Sequence, residues 1–257
     1  MRGKVLIIVH QPTSTPGRIG LKLDQRGFEL DIRRPCLGEL LPESLDEHRA
    51  VVIFGGPMSA NDCQELDFIR TEIDWLALPL KSDVPFLGVC LGAQLLARQL
   101  GVEVKPHPQD QVEIGYYPIR PTPAGLQLVP HWPDRVYQWH REGFELPHGA
   151  VLLAEGETFS NQAFRYGKAA FGVQFHPEVT QAMLHRWTVR ASHRLALPGA
   201  QPRSAHLEGR LVYDRAVANW LDRFLDRWLP PACSTPSGKR ERGANQPAIN
   251  PLQNSTA

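Results

Sequence analysis

The chain has 257 residues, 42% of them apolar, with 28 basic residues set against 27 acidic ones for a formal net charge of +1. That length accommodates one large domain with a substantial core, and the near-neutral balance argues against a nucleic-acid or membrane-surface partner. No apolar run reaches the ~18–20 residues that a membrane span requires.

The first strand is expected over 4–9, Lys-Val-Leu-Ile-Ile-Val. The Arg and Lys ahead of it resemble the start of a signal peptide, but the apolar run is short, β-branched and closed by His10, which favours a buried strand. Pro16-Gly17 opens a helix to about 26, capped by Gly27. A second strand covers 28–33, and 35–48 is an irregular connection with one helical turn expected at 42–45. Residues 50–54 form a third buried strand ended by Gly55-Gly56-Pro57. The segment 62–78 carries apolar residues on one helical face, with Asp62 read as its N-cap. An apolar strand over 85–89 then runs through Cys90 into a helix over 91–100, stopped by Gly101. Strands alternating with helices through short connections predict an α/β fold, a doubly wound and mostly parallel sheet.

The second half changes rhythm. Short strands are expected at 102–105, 113–119, 126–129, 135–139, 151–155, 162–165 and 169–175, separated by Pro- and Gly-rich turns that suit an added antiparallel region. Helices follow over 179–197 and 210–229. The second has Leu211, Ala218, Leu221, Leu225 and Trp228 at helical spacing and is expected to pack on the core. From 230 the chain is rich in Pro, Ser, Asn and Gln and reads as a disordered tail. The domain is therefore placed at 1–229 and the tail at 230–257.

One stretch organises this pattern. Gly88-Val89-Cys90-Leu91-Gly92 sits where a buried strand turns into a helix, and the two glycines permit the sharp turn of a nucleophile elbow. The turn lifts the thiol out of the sheet and sets it at a helix N-terminus, where the dipole favours the thiolate. The alternative is a buried structural cysteine. His176-Pro177-Glu178 follows the last apolar strand. His and Glu two apart on extended backbone point the same way, so the carboxylate can hold one imidazole nitrogen while the other faces a thiol. The expected oxyanion donors are the backbone N–H of Leu91 and an N–H from the Gly55-Gly56-Pro57 turn. His10 lies at a strand end facing the same cleft. Cys36, Cys63 and Cys233 have no base nearby in sequence, and the four cysteines carry no disulfide or metal-ligand spacing. They read as free thiols of a reducing cytoplasm, with no metal and no cofactor expected. The arginines of the late helices read as a solvated face, and Trp187, Trp220 and Trp228 as packing.

Gly-Val-Cys-Leu-Gly-Ala-Gln (88–94), Phe-Gly-Gly-Pro-Met-Ser (54–59) and Gly-Val-Gln-Phe-His-Pro-Glu (172–178) together resemble the motifs of class I glutamine amidotransferases, in family order over about 4–190. The resemblance implies a flavodoxin-like fold and a Cys90 attack on the glutamine side-chain amide through a γ-glutamyl thioester. His176 is then the acid and base, Glu178 orients it, and Gly56 and Leu91 are the oxyanion pair. Gln94 matches a substrate-contacting glutamine, and 135–140 resembles a glutamine-binding loop that puts Trp139 and His140 at the pocket. Neither a phosphate-binding P-loop nor a pyrophosphatase loop is present in the sequence, so the chain looks like a stand-alone glutaminase domain of the GMP synthetase type. The resemblance implies glutamine or a γ-glutamyl compound as substrate, and as partner a separate synthase or acceptor protein. Two alternatives are a γ-glutamyl peptide hydrolase with the same triad and a non-catalytic regulatory relative.

Overall fold

The computed structural model describes residues 2–230. The expected tail therefore lies, from 231 on, outside the described residues, as does Cys233. The chain runs β1 (Lys4–Ile8), α1 (Gly17–Gln25), β2 (Glu29–Arg33), β3 (His48–Ile53), α2 (Asp67–Trp75), α3 (Ala77–Ser82), β4 (Phe86–Val89) and α4 (Leu91–Gln99). It continues with β5 (Val104–Pro106), β6 (Glu113–Pro118), β7 (Arg120–Pro121), α5 (Pro123–Leu128), β8 (Arg135–His140) and β9 (Glu142–Phe144). The last elements are β10 (Val151–Glu155), β11 (Asn161–Tyr166), β12 (Ala170–Val173), α6 (Gln181–Arg190) and α7 (Arg203–Trp228).

The main sheet has the order β2-β1-β3-β4-β12-β11-β10-β7. Its first five strands are parallel and the pairings from β12 outward are antiparallel. The parallel part has the doubly wound order in which the chain reverses direction across the sheet between β1 and β3. The expected mostly parallel sheet with an antiparallel addition is thus what forms. Two small antiparallel ribbons, β5-β9 and β6-β8, stand beside it.

Strand β1 explains why both faces are covered. Val5 and Ile7 enter one apolar cluster with α1 and α7, while Leu6 and Ile8 enter a second with α2 and α4. A run of five apolar residues without alternation is what a strand buried on both faces requires. On the α7 side, Trp220, Phe224 and Trp228 form a stacked row, and Trp220 meets Phe175 edge-on at 5.3 Å. Phe175 immediately precedes His176, so α7 braces the end of β12.

Several elements differ from the sequence expectation. Residues 126–129, expected as a strand, lie largely in α5. There Thr122 is the N-cap, its Oγ1 accepting from Gly125 N–H at 3.2 Å, with Pro123 in the first turn. The segment 62–78 is a 3-10 turn followed by α2 and α3, and Asp62 does not cap a long helix. Its carboxylate instead accepts from Ser59 N–H at 2.8 Å. The short helical turn in the 35–48 connection forms at Pro35–Leu37 and not at 42–45. The segment 179–197 divides into α6 and a 3-10 stretch, Ser192–Ala196. Helix α7 begins at Arg203, seven residues before the expected 210, and Leu211 is 87% exposed while Val217, Trp220 and Phe224 take the core positions.

Candidate functional site

Cys90 connects β4 to α4 with φ +52, a left-handed conformation that a side-chain-bearing residue rarely adopts. The turn is held at both ends. Cys90 N–H donates to the Val173 carbonyl at the end of β12 (2.8 Å), and Gln94 N–H closes the first turn of α4 on the Cys90 carbonyl (3.0 Å). The flanking glycines are sterically required. A Cβ on Gly92 would collide with the Ile53 carbonyl, and one on Gly88 with the Gly92 backbone. Strain at such a residue persists only when the surroundings enforce it, and it concentrates at functional sites.

His176 follows β12, next to β4 in the sheet, and its N–H donates to the Tyr137 carbonyl at 2.8 Å. Its Nδ1 meets Glu178 Oε1 at 2.7 Å, with both side chains buried. Among the described residues Nε2 has no nitrogen or oxygen partner. Burial lowers the His176 pKa, but the Glu178 carboxylate and the Cys90 thiol outweigh it, and the imidazole is pushed up to about 10. Trp187 stands edge-on to the His176 ring at 5.0 Å. The Glu178 end is fixed by α1: Arg18 N–H donates to the Glu178 carbonyl at 2.8 Å, and Gly17 at φ +53 leaves no room there for a side chain.

The Gly55-Gly56 turn after β3 closes the third side. A Cβ on Gly55 would come within 2.9 Å of His176 Cε1 and 3.4 Å of Cys90 Cβ, and one on Gly56 within 3.0 Å of a Leu91 methyl. Among the described residues, neither Gly56 nor Leu91 N–H is taken up by another backbone carbonyl. His10, at the end of β1, is fully buried. Its Nδ1–H donates to the Gly55 carbonyl (3.2 Å) and its Nε2 meets Glu72 Oε2 of α2 (2.9 Å). Burial opposes protonation of His10, but Glu72 and the Gly55 carbonyl outweigh it and the pKa is raised.

Two clefts meet at Cys90. The larger holds about 260 Å³ and is walled by Trp139 and Trp187, with Arg186, Arg190 and Arg194 around it. The smaller, about 30 Å³, lies between Gly56, Leu91, Gln94, His140 and Glu142. Gln94 Nε2 donates to the Glu142 carbonyl at 2.8 Å and to Gln174 Oε1 at 3.3 Å. Trp139 borders both clefts. His140 borders the smaller one, with Nδ1–H donating to the Glu142 carbonyl (2.9 Å) and Nε2 on Glu113 (3.0 Å). Glu113 also accepts from Gln162 Nε2 at 2.9 Å.

Cys90, His176, Glu178, Gly56 and Leu91 are therefore gathered where β3, β4 and β12 end, the place at which ligands of such sheets bind, with Gln94, Trp139 and His140 bordering the adjoining clefts. Sequence reasoning missed Glu72, Glu113, Arg141 and Glu142. It also assigned Trp187 to packing and the late arginines to solvent, whereas Trp187 stands against His176 and three of the arginines border the cleft. Arg194 touches both clefts. Burial first, and the neighbouring Arg141 second, hold its guanidinium below the usual arginine range.

The fold and the three motif turns place the chain among known proteins. A profile of the family "Glutamine amidotransferase class-I" matches residues 21–190. The glutamine amidotransferase-like protein YfeJ of Salmonella typhimurium is 34% identical over 185 residues, covering 69% of this chain and 76% of that protein. One component of a glutamine-hydrolysing GMP synthase from Sulfolobus acidocaldarius, itself named as a subunit, is 34% identical over 142 residues, 53% of this chain and 71% of that component. Against the GMP synthase of Porphyromonas gingivalis the match is 31% over 141 residues and spans only 26% of that longer protein. A solved glutamine amidotransferase structure from Thermotoga maritima superposes with a TM-score of 0.80 at 30% identity, covering 90% of this chain and all of that one. The chain belongs to the class I glutamine amidotransferase family, whose general chemistry is hydrolysis of the glutamine side-chain amide. No helix among the described residues is long and apolar enough to cross a membrane.

Proposed function

We propose that this chain is a glutamine-hydrolysing enzyme in which Cys90, His176 and Glu178 form the catalytic triad. The observation that carries the reading is the buried His176–Glu178 bond of 2.7 Å, with Nε2 left open beside a cysteine held at φ +52. Cys90 Sγ adds to the amide carbon, and the oxygen's charge is taken up by the N–H groups of Gly56 and Leu91. His176 Nε2 gives its proton to the departing ammonia, leaving a γ-glutamyl thioester. Water, losing a proton to Nε2, then attacks the thioester, and glutamate leaves as the thiol re-forms. Glu178 fixes the imidazole tautomer and supports its charge. In this reading Gln94, Trp139 and His140 form the glutamyl-binding side where the two clefts adjoin.

The Sulfolobus relative is named as part of a larger enzyme, which supports ammonia delivery to a separate acceptor or synthase protein; the free thiols fit a cytoplasmic setting. A second reading is favoured by one observation: three arginines border the larger cleft, a charge that a departing neutral ammonia does not call for. That cleft suits a γ-glutamyl compound whose leaving amine carries a negative charge. The test is ammonia release from glutamine and cleavage of γ-glutamyl dipeptides by the protein and by Cys90→Ala. The expected result is turnover that falls at least about 10³-fold in the variant with the fold unchanged. Turnover that survives the substitution would remove the proposed mechanism.

A further inference from the structure

We infer that His10 and Glu72 form a buried clamp that sets the orientation of the Gly55–Gly56 peptide, making them positioning residues for the oxyanion site. The inference rests on the proposed role of the Gly56 N–H.

The Gly55 carbonyl and the Gly56 N–H belong to one trans peptide unit, so they point in opposite directions. His10 Nδ1–H holds the carbonyl at 3.2 Å on the β1 side. Fixing that oxygen also fixes the opposite N–H, and the turn that carries it lies against the nucleophile side, since a Cβ on Gly55 would come within 2.9 Å of His176 Cε1 and 3.4 Å of Cys90 Cβ. A glycine pair has little intrinsic resistance to peptide rotation, so the turn needs an external hold. Contact supplies part of it: a Cβ on Gly56 would lie 2.8 Å from His10 Cβ, so the turn rests directly on the His10 side chain.

Glu72 completes the device. Both partners of the ring are acceptors, so holding the Gly55 carbonyl through Nδ1–H and the Glu72 carboxylate through Nε2–H together needs both nitrogens protonated, since a neutral imidazole has only one N–H; the carboxylate supports that imidazolium. Glu72 Oε2 at 2.9 Å binds the far nitrogen and fixes the ring plane that aims Nδ1 at Gly55. Both side chains are completely removed from solvent, and Glu72 Oε1 has no partner. A buried carboxylate with one oxygen unsatisfied is costly, and placing one under a glycine turn is intelligible if ring orientation is what it supplies. The His10–Gly55 bond joins the ends of β1 and β3, the neighbouring strands at which the sheet order reverses.

The test compares two variants in a Glu72→Gln background, which removes the buried charge. His10→Asn keeps an N–H donor near the Nδ1 position, and His10→Leu has nearly the same shape without it. The clamp predicts that the Leu variant loses about 10²-fold in kcat with KM within about threefold, the scale of one lost oxyanion donor. The Asn variant is predicted to stay within about tenfold of the parent. Equal kcat in the two variants, or equal loss in both, would overturn the clamp. Crystal structures of the same pair read the peptide directly. A rotated 55–56 peptide in the Leu variant alone is the expected result, and an unrotated one there would overturn the proposal. If the unaltered protein shows no Cys90-dependent turnover, the catalytic reading falls, and the peptide orientation still decides whether the clamp exists.

Discussion

At residue scale the site is a set of steric and electrostatic necessities around one thiol. Cys90 can hold φ +52 only because Gly88 and Gly92 let strand, turn and helix approach one another. Gly92→Ala drives a methyl into the Ile53 carbonyl and is expected to cost about 1–3 kcal/mol or more, read as a lower urea midpoint with unchanged slope. The charge on His176 is the second necessity. Its pKa is raised to about 10 because Glu178 and Cys90 outweigh burial. In the proposed mechanism the imidazolium protonates the leaving ammonia, so activity persists through neutral pH and falls as pH rises through about 10. Glu178→Gln removes the first of the two raising causes while burial remains. The alkaline limb of kcat/KM should then move toward neutrality and kcat should fall about 10²–10⁴-fold; an unmoved limb would show that Glu178 does not set the His176 charge. Cys90, His176 and Glu178 were legible in the sequence as a candidate triad because each sits in a short motif with its own local geometry. Glu72 and Glu113 were not, because their partners are up to 62 positions away and each looks like an ordinary helix or strand charge until the chain folds over it, and Arg194 read as one of several solvated arginines.

At the scale of elements, α7 decides how firmly the end of β12 is held. Ion pairs join it to α1 through Arg18–Asp214, Lys22–Asp222 and Arg26–Asp226, all partly exposed. Such pairs contribute about 0–1 kcal/mol each. The buried aromatic row outweighs them: Trp220→Ala is expected to cost about 3–5 kcal/mol. It should also lower kcat, because Trp220 packs on Phe175 next to His176. Leu211→Ser, at a position 87% exposed on the same helix, should change stability by less than about 0.5 kcal/mol. Thermal or urea unfolding of the two variants separates them, and equal losses would contradict this role for α7. The parallel half of the sheet was legible because strands buried on both faces read as unbroken apolar runs. The later half was less so. Leu126-Gln127-Leu128-Val129 has the alternation of a strand, but Thr122-Pro123 starts a helix that its packing retains. Arg203 to Arg210 has Leu207 as its one large apolar residue and a Gly at 209, so the first turns of α7 carry only a weak apolar signal.

For the whole molecule, the two clefts meeting at Cys90 set what the enzyme can take. Arg194 borders both clefts and has no acidic partner among the described residues. If the larger cleft receives an anionic amine, Arg194→Met should raise KM about tenfold for a γ-glutamyl dipeptide ending in an acidic residue, equivalent to about 1.4 kcal/mol, and leave KM for glutamine nearly unchanged. Equal effects on both substrates would assign the arginine to the glutamyl side. All of this depends on Cys90 being the activated thiol of the chain. The direct measurement is covalent labelling with a glutamine-mimicking diazoketone, followed by peptide mass spectrometry of all four cysteines. An adduct on Cys90, lost when glutamine is present in excess, with Cys36, Cys63 and Cys233 spared, is the predicted outcome; equal labelling of all four, or labelling that leaves Cys90 untouched, would contradict it.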